Sequence, residues 1–332
     1  MDTNLSQVAK DLVANGRGIF AADAGPKTLA KRAAEINLSL ETVDQRLKYR
    51  TMTISTPGLS QYIGGVILHE EAMSLVSVLN QQGIKAGLKV DQGTVEMTSG
   101  SIEKITEGLE KLDQKLADAS QAGAKFSKWR AVIIISSATP SSANVEANCE
   151  TLARYAKLSQ KAGLVPIIEP EVLMEGTHPL ERCADVTRLV GKKMFASLLK
   201  HEIDLTGMLY KPNMVLAGKD CPSQPTVTEI AQKTVEVMQE IVPPKVPGIV
   251  FLSGGQEAGS ATQRLNEIAK LGGGSPWRWS FSFERGLEGP AMQTWQGQEA
   301  NIVAAQKMLL HRAKCNSLAS LGKYTAEVEH EI

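Results

Sequence analysis

Eight short apolar runs recur along this chain with helical patterns between most of them, and few folds accommodate that alternation. The runs begin near Gly18, Gly64, Ala86, Trp129, Leu164, Gly207, Gly248 and Trp277. Helical spacing marks Ser101–Gln121, through Ile102, Ile105, Leu109, Leu112 and Leu116, and also Ala147–Ala162 and Val227–Ile241. Strands that alternate with helices pair in parallel through right-handed crossovers. Near-continuous apolar strands are buried on both faces, so eight of them predict an α/β fold, a single (β/α)8 TIM barrel, over an open sheet. A doubly wound sheet would favour a Gly-rich dinucleotide turn after its first strand, and Ala21-Ala-Asp-Ala-Gly-Pro26 is not one. No Pro/Ser-rich linker divides the chain, so one barrel domain is expected over 1–332, with 325–332 a polar and loosely held tail.

Composition excludes several roles. An apolar fraction of 42% is enough for a full core. Lys+Arg and Asp+Glu cancel at 36 each, so no overall field recruits nucleic acid or an anionic membrane. The start, Met1-Asp-Thr-Asn-Leu-Ser6, has neither a basic n-region nor a long apolar h-region, and runs such as Ala131–Ile135 are too short to span a bilayer. Cys149, Cys183, Cys221 and Cys315 are scattered, which suits reduced thiols in the cytoplasm.

The runs tend to end in ionisable or Gly-rich residues: Asp23, Lys89 and Asp91, Glu169 and Glu171, Lys211, and Ser253-Gly-Gly255. Residues two apart on a strand share a face, which pairs Lys128 with Arg130, Glu169 with Glu171 and Lys89 with Asp91. At the carboxyl ends of barrel strands such residues collect around one pocket, here Asp23, Lys89, Lys128, Glu169 and Lys211. Each could instead be a structural ion pair under a surface loop; five on five strands argue for a catalytic face, because buried charge is costly. Burial and the charge of Lys128 both favour a neutral Lys211 amine, which attacks a carbonyl and forms an imine. Losing water from the carbinolamine needs a nearby proton donor and acceptor, and Glu169 is the candidate. Ser253-Gly254-Gly255 after the seventh strand and Arg285 after the eighth lie where barrels often hold a phosphate.

These residues sit within stretches that resemble the class I (Schiff-base) fructose-bisphosphate aldolases. The similar segments run from about Gly18 to Tyr324 and include Tyr62-Ile-Gly-Gly, Lys128-Trp-Arg130, Val165-Pro-Ile-Ile-Glu-Pro-Glu171, Leu209-Tyr-Lys-Pro-Asn213, Phe251-Leu-Ser-Gly-Gly255 and Gly322-Lys-Tyr324. The resemblance implies cofactor-independent, metal-independent cleavage of fructose 1,6-bisphosphate in glycolysis and gluconeogenesis, by a cytoplasmic homotetramer. It implies that Lys211 forms the imine, Glu169 handles carbinolamine dehydration, Asp23 takes the hydroxyl proton as the carbon–carbon bond breaks, and Lys128 orients substrate. Lys89 and Arg130 are implied in the pocket, Ser253, Gly254, Gly255, Ser282 and Arg285 around the C1 phosphate, and Arg32 and Glu171 in or beside the site.

Three departures bear on substrate. Glu284 stands where the family commonly has Gly, so its carboxylate is expected to turn out of the phosphate pocket towards a cation. Ala24-Gly-Pro-Lys-Thr28 replaces an acidic, hydroxyl-rich turn near the second phosphate, and the C-terminal tyrosine of many animal members has no counterpart at Ile332. Two rivals follow: the same chemistry on another phosphorylated ketose such as sedoheptulose 1,7-bisphosphate, or a non-catalytic scaffold. A zinc enzyme needs clustered ligands; His69, His178, His201, His311 and His330 are scattered, and His69-Glu-Glu71 is read as a solvated loop. Cys149 and Cys183 are read as buried fillers.

Overall fold

A computed structural model describes residues 4–331. Eight parallel strands close into a barrel: β1 Gly18–Ala22, β2 Ile63–Leu68, β3 Lys85–Lys89, β4 Phe126–Ile133, β5 Val165–Val172, β6 Leu209–Tyr210, β7 Gly248–Phe251 and β8 Arg278–Phe283. Each pairs with its sequence neighbours, and β8 closes on β1 through Ile19↔Ser282. This is the (β/α)8 TIM barrel expected from the alternation.

Side-chain parity explains both the core and the site. On β5, Val165 and Ile167 point into the barrel's interior core while Ile168 and Val172 face the surrounding helices. Glu169 and Glu171 continue the inward row towards the carboxyl end. The same parity runs Ile19, Ala21, Asp23 on β1, Phe126, Lys128, Arg130 on β4, and Leu209, Lys211 on β6. An apolar plug therefore fills the lower barrel and charged residues crown it. The first helix, Leu5–Leu12, adds Ala9 and Leu12 to that plug and closes the amino-terminal end. Its approach is close: a Cβ on Gly64 would lie 2.3 Å from the Leu12 carbonyl oxygen, so only glycine fits.

Some local readings change. The helix expected over Ser101–Gln121 covers only Leu112–Gln121. Lys104–Thr106 instead forms an antiparallel ribbon with Thr94–Glu96, and Ile102 is exposed. Gly108 takes φ +122, which no helix allows, and Thr106 Oγ1 donates to the Arg130 carbonyl (2.7 Å), tying the ribbon to β4. The helix expected from Ala147 starts at Ser142, because Ser141 caps it by accepting from Asn144 N–H (3.1 Å). Val227–Ile241 is helical as expected, opened by a Thr226–Glu229 capping box.

His69-Glu-Glu71 is not a solvated loop. His69 caps a short 3₁₀ helix, Glu70–Leu75, and Glu71 accepts from Arg46 (2.9 Å) and Arg50 (3.2 Å). Part of the expected tail is anchored. Ala326–Glu329 is helical, and Glu329 pairs with buried Arg312 and accepts from the Tyr324 hydroxyl (2.6 Å). Met1–Thr3, in the segment read for a leader, and Ile332, in the expected tail, lie outside the described residues.

Candidate active site

A cavity of about 200 Å³ opens at the carboxyl-terminal mouth of the barrel. Asp23, Lys89, Lys128, Glu169 and Lys211 all line it, so five strands do deliver their terminal charges to one place. Arg32, Arg130, Glu171, Ser253, Gly254, Ser282 and Arg285 line it too. Gly255 stands behind the lining: a Cβ there would lie 2.9 Å from Arg285 Nη2, so the absent side chain makes room for the guanidinium. Gly254 and Gly255 take φ +55 and +89, a left-handed stretch that residues with a side chain rarely adopt.

The centre is a chain of four buried charges. Lys128 Nζ lies 2.6 Å from Asp23 Oδ2 and 3.3 Å from Glu169 Oε2, and Lys211 Nζ lies 3.2 Å from Glu169 Oε1. Lys211, Lys128, Glu169 and Asp23 keep only 3, 4, 4 and 6% exposure. Isolated ions so deep would be prohibitive, and their alternation of sign is what makes the cluster tolerable. The sequence argument counted only burial and Lys128 around Lys211; the structure adds a carboxylate bridging both lysines.

Burial alone would raise the Asp23 carboxyl, but Lys128 and then Lys211 overcome it and hold it at about 2. Its stabilising contribution is therefore complete above the ordinary aspartate range and lost as pH falls through about 2. Burial likewise opposes charge on Lys128, and Asp23 followed by Glu169 outweighs it, raising the ammonium above the usual lysine range. Arg130 is raised in the same way, chiefly by Glu171, with which it pairs. Lys89 pairs with Asp91 (2.6 Å).

Two cationic features remain at the rim. Among the described residues Arg285 is the one cation lining the cavity without an ion pair. Arg32 pairs with Glu284. The cation expected for Glu284 is thus Arg32, and both residues of the pair line the cavity. Ser282 Oγ is buried with no hydrogen-bond partner in the protein. Ala24, Gly25 and Thr28 also line the cavity, so the divergent turn after β1 does face the site.

Sequence reasoning missed a supporting residue. Buried Arg50, on the helix Val43–Ile54, donates to the carbonyls of Ala22 and Ala24 (2.7 Å to the latter) and pairs with Glu71. It straps the backbone on either side of Asp23 and so fixes where that carboxylate points. Nothing local in the sequence links residue 50 to the end of β1.

No histidine or cysteine lines the cavity among the described residues. One trio does meet elsewhere: His311 and Cys315, one turn apart, with Glu329. Its members already bond one another and Arg312, with Cys315 Sγ 3.5 Å from His311 Nε2. Cys149 and Cys183 are buried fillers as read, and burial pushes the Cys149 thiol up to about 12.

A closed parallel barrel with lysines and carboxylates alternating at its carboxyl-terminal mouth defines an enzyme of the acid–base and nucleophilic type. The profile of the family described as glycolytic, fructose-bisphosphate aldolase class-I, matches residues 4–332. Fructose-bisphosphate aldolase of Dictyostelium discoideum is 45% identical, over 97% of this chain and 93% of its own. A chloroplastic fructose-bisphosphate aldolase of Oryza sativa subsp. japonica is 41% identical, over 99% and 86%. A Plasmodium falciparum fructose-bisphosphate aldolase, solved in a ternary complex with TRAP and a small-molecule inhibitor, superposes with a TM-score of 0.93 at 40% identity, over 97% and 95% of the two chains. The chain belongs to the class I fructose-bisphosphate aldolase family.

Proposed function

We propose that this protein cleaves fructose 1,6-bisphosphate reversibly to dihydroxyacetone phosphate and glyceraldehyde 3-phosphate through an imine on Lys211. The observation that carries the reading is Glu169 bridging Lys211 and Lys128 in a buried cavity. Glu169 takes the proton of the Lys211 ammonium, the freed amine adds to the C2 carbonyl, and Glu169 returns that proton to the carbinolamine hydroxyl, which leaves as water. Asp23, held anionic, accepts the C4 hydroxyl proton while the C3–C4 bond breaks and its electrons enter the imine to give an enamine. Lys128, held cationic between Asp23 and Glu169, orients the substrate hydroxyls. Reprotonation and hydrolysis of the imine then release the second product.

The C1 phosphate fits the Ser253-Gly-Gly255 turn, Ser282 and the unpaired Arg285, with Arg32, Lys89, Arg130 and Glu171 bordering the sugar. Borohydride reduction in the presence of dihydroxyacetone phosphate, followed by peptide mapping, tests the assignment. The label is expected on Lys211; a label on Lys89 or Lys128 overturns it.

A bidentate Arg–phosphate contact contributes about 1.5–3 kcal/mol, in line with hydrogen bonds to charged groups. Arg285→Ala is therefore expected to lower kcat/KM for C1-phosphorylated ketoses by roughly one to two orders of magnitude. A ketose lacking that phosphate should lose far less, and equal losses would assign Arg285 a structural role.

Among the described residues the cavity offers oxygen and amine donors and no imidazole or thiolate, a poor set for zinc. Cleavage activity is expected to survive dialysis against EDTA; full loss restored by zinc would replace the imine mechanism with a metal-stabilised enolate. A cytoplasmic homotetramer belongs to the same reading. The rice relative is chloroplastic, so family membership leaves the compartment to fractionation and the assembly to analytical ultracentrifugation.

A further inference from the structure

Glu284 lines the cavity immediately before Arg285 in the chain and pairs with Arg32, which lines it too. Its backbone is fixed. Its carbonyl accepts from the N–H groups of Leu287 and Glu288 (both 2.9 Å) as the cap of the helix Arg285–Trp295. Its side chain reaches across to Arg32 on the helix Pro26–Ala34, 252 residues away in sequence. Both partners are about three-quarters shielded, with 21 and 24% of their side chains exposed, so the pair is neither a buried strut nor a solvated rim contact.

One turn along, Glu288 is buried and accepts from the Tyr49 hydroxyl (3.1 Å). Burial first, and the Glu284 charge second, push its carboxyl up to about 8. Among the described residues Glu288 makes no ion pair, and the carboxylate in contact with Arg32 is that of Glu284.

We propose that Glu284 is an internal stand-in for the substrate phosphate, occupying Arg32 in the free protein and leaving it when a phosphate enters beside Arg285. This rests on the sugar-phosphate reading of the cavity. Binding is then an exchange: the Arg32–carboxylate pair breaks as the Arg32–phosphate pair forms, with no covalent change. Two consequences follow from the geometry. A phosphate gains one unpaired guanidinium, Arg285, and one that must first be released, Arg32. A ligand without phosphate has nothing with which to displace Glu284, so the device discriminates by charge. Glu284 acts as a specificity-determining residue through Arg32 and not as a catalytic one.

The test uses Glu284→Gln, which keeps the shape, and Glu284→Gly, which removes the side chain but keeps the backbone N–H. Inorganic phosphate binding is measured by calorimetry, and KM and kcat are measured with fructose 1,6-bisphosphate. Both variants are expected to bind phosphate roughly three- to tenfold more tightly and to lower KM by a similar factor, with kcat moving much less. In an Arg32→Ala background the gain should vanish, because there is no guanidinium left to release. Unchanged or weaker phosphate binding in both variants overturns the proposal, as does a gain that persists without Arg32. A purely structural pair would show as lowered thermal stability with no tightening, which also overturns it. If the wild-type chain fails to cleave the bisphosphate but the phosphate gain and its loss with Arg32 are seen, the reaction assignment falls and the exchange stands.

Discussion

Lys211→Ala is expected to lower kcat for fructose 1,6-bisphosphate cleavage by roughly 10⁵–10⁶-fold, the scale seen when a covalent nucleophile is removed from a site built around it. No neighbour can substitute. Lys128 is held cationic by Asp23 and Glu169, and Lys89 is tied to Asp91 at 2.6 Å. The variant should also lose all borohydride-trappable adduct. Glu169 keeps a second partner in Lys128 at 3.3 Å, and Lys128 keeps Asp23 at 2.6 Å. Circular dichroism and thermal unfolding of Lys211→Met, which fills the space without an amine, separate chemistry from structure. A residual rate within a hundredfold of wild type would remove Lys211 from the covalent role.

The barrel was legible because its strands report themselves twice. They are apolar runs, and most end in ionisable or Gly-rich residues, the charged ones expensive to bury unless they meet partners. Their place at the carboxyl ends of barrel strands then collected Asp23, Lys89, Lys128, Glu169 and Lys211 into one expected pocket, and all five line the cavity. Local periodicity was less reliable where strand and helix patterns overlap: Ile102 and Ile105 extend the stripe of Leu112 and Leu116, yet Gly108 separates a ribbon from a helix. Interactions between distant segments were out of reach. The Arg32–Glu284 pair, the Arg50 strap on Ala22 and Ala24, and the Arg312–Glu329 anchor join positions that no spacing rule connects. Glu284 shows both sides of this. Electrostatics demanded a cation for it, but only the fold could name Arg32.

Glu169→Gln is the second large effect expected, and it distinguishes two carboxylates that a loss of activity alone would confuse. The substitution keeps volume and removes the transferable proton from a side chain that is 4% exposed and lies within 3.3 Å of two lysines. General acid–base catalysis of this kind contributes roughly 10²–10⁴-fold. If Glu169 serves carbinolamine dehydration, the rate at which trappable adduct forms with dihydroxyacetone phosphate should fall by about that factor, before any carbon–carbon bond is broken. Asp23→Asn should behave differently, because its proposed proton comes from the C4 hydroxyl that dihydroxyacetone phosphate lacks. Adduct formation from that ketose should then stay within a few-fold of wild type while cleavage of the bisphosphate stalls. Rapid-quench borohydride trapping measures the first rate and a coupled aldehyde assay the second. Glu169→Gln also leaves Lys211 without its ion-pair partner, so thermal unfolding accompanies the kinetics; a destabilised protein that still formed adduct at the wild-type rate would take the dehydration step away from Glu169. The converse result, slow adduct formation in Asp23→Asn as well, would mean that the Asp23–Lys128–Glu169 chain works as one proton-handling unit in place of two separable carboxylates.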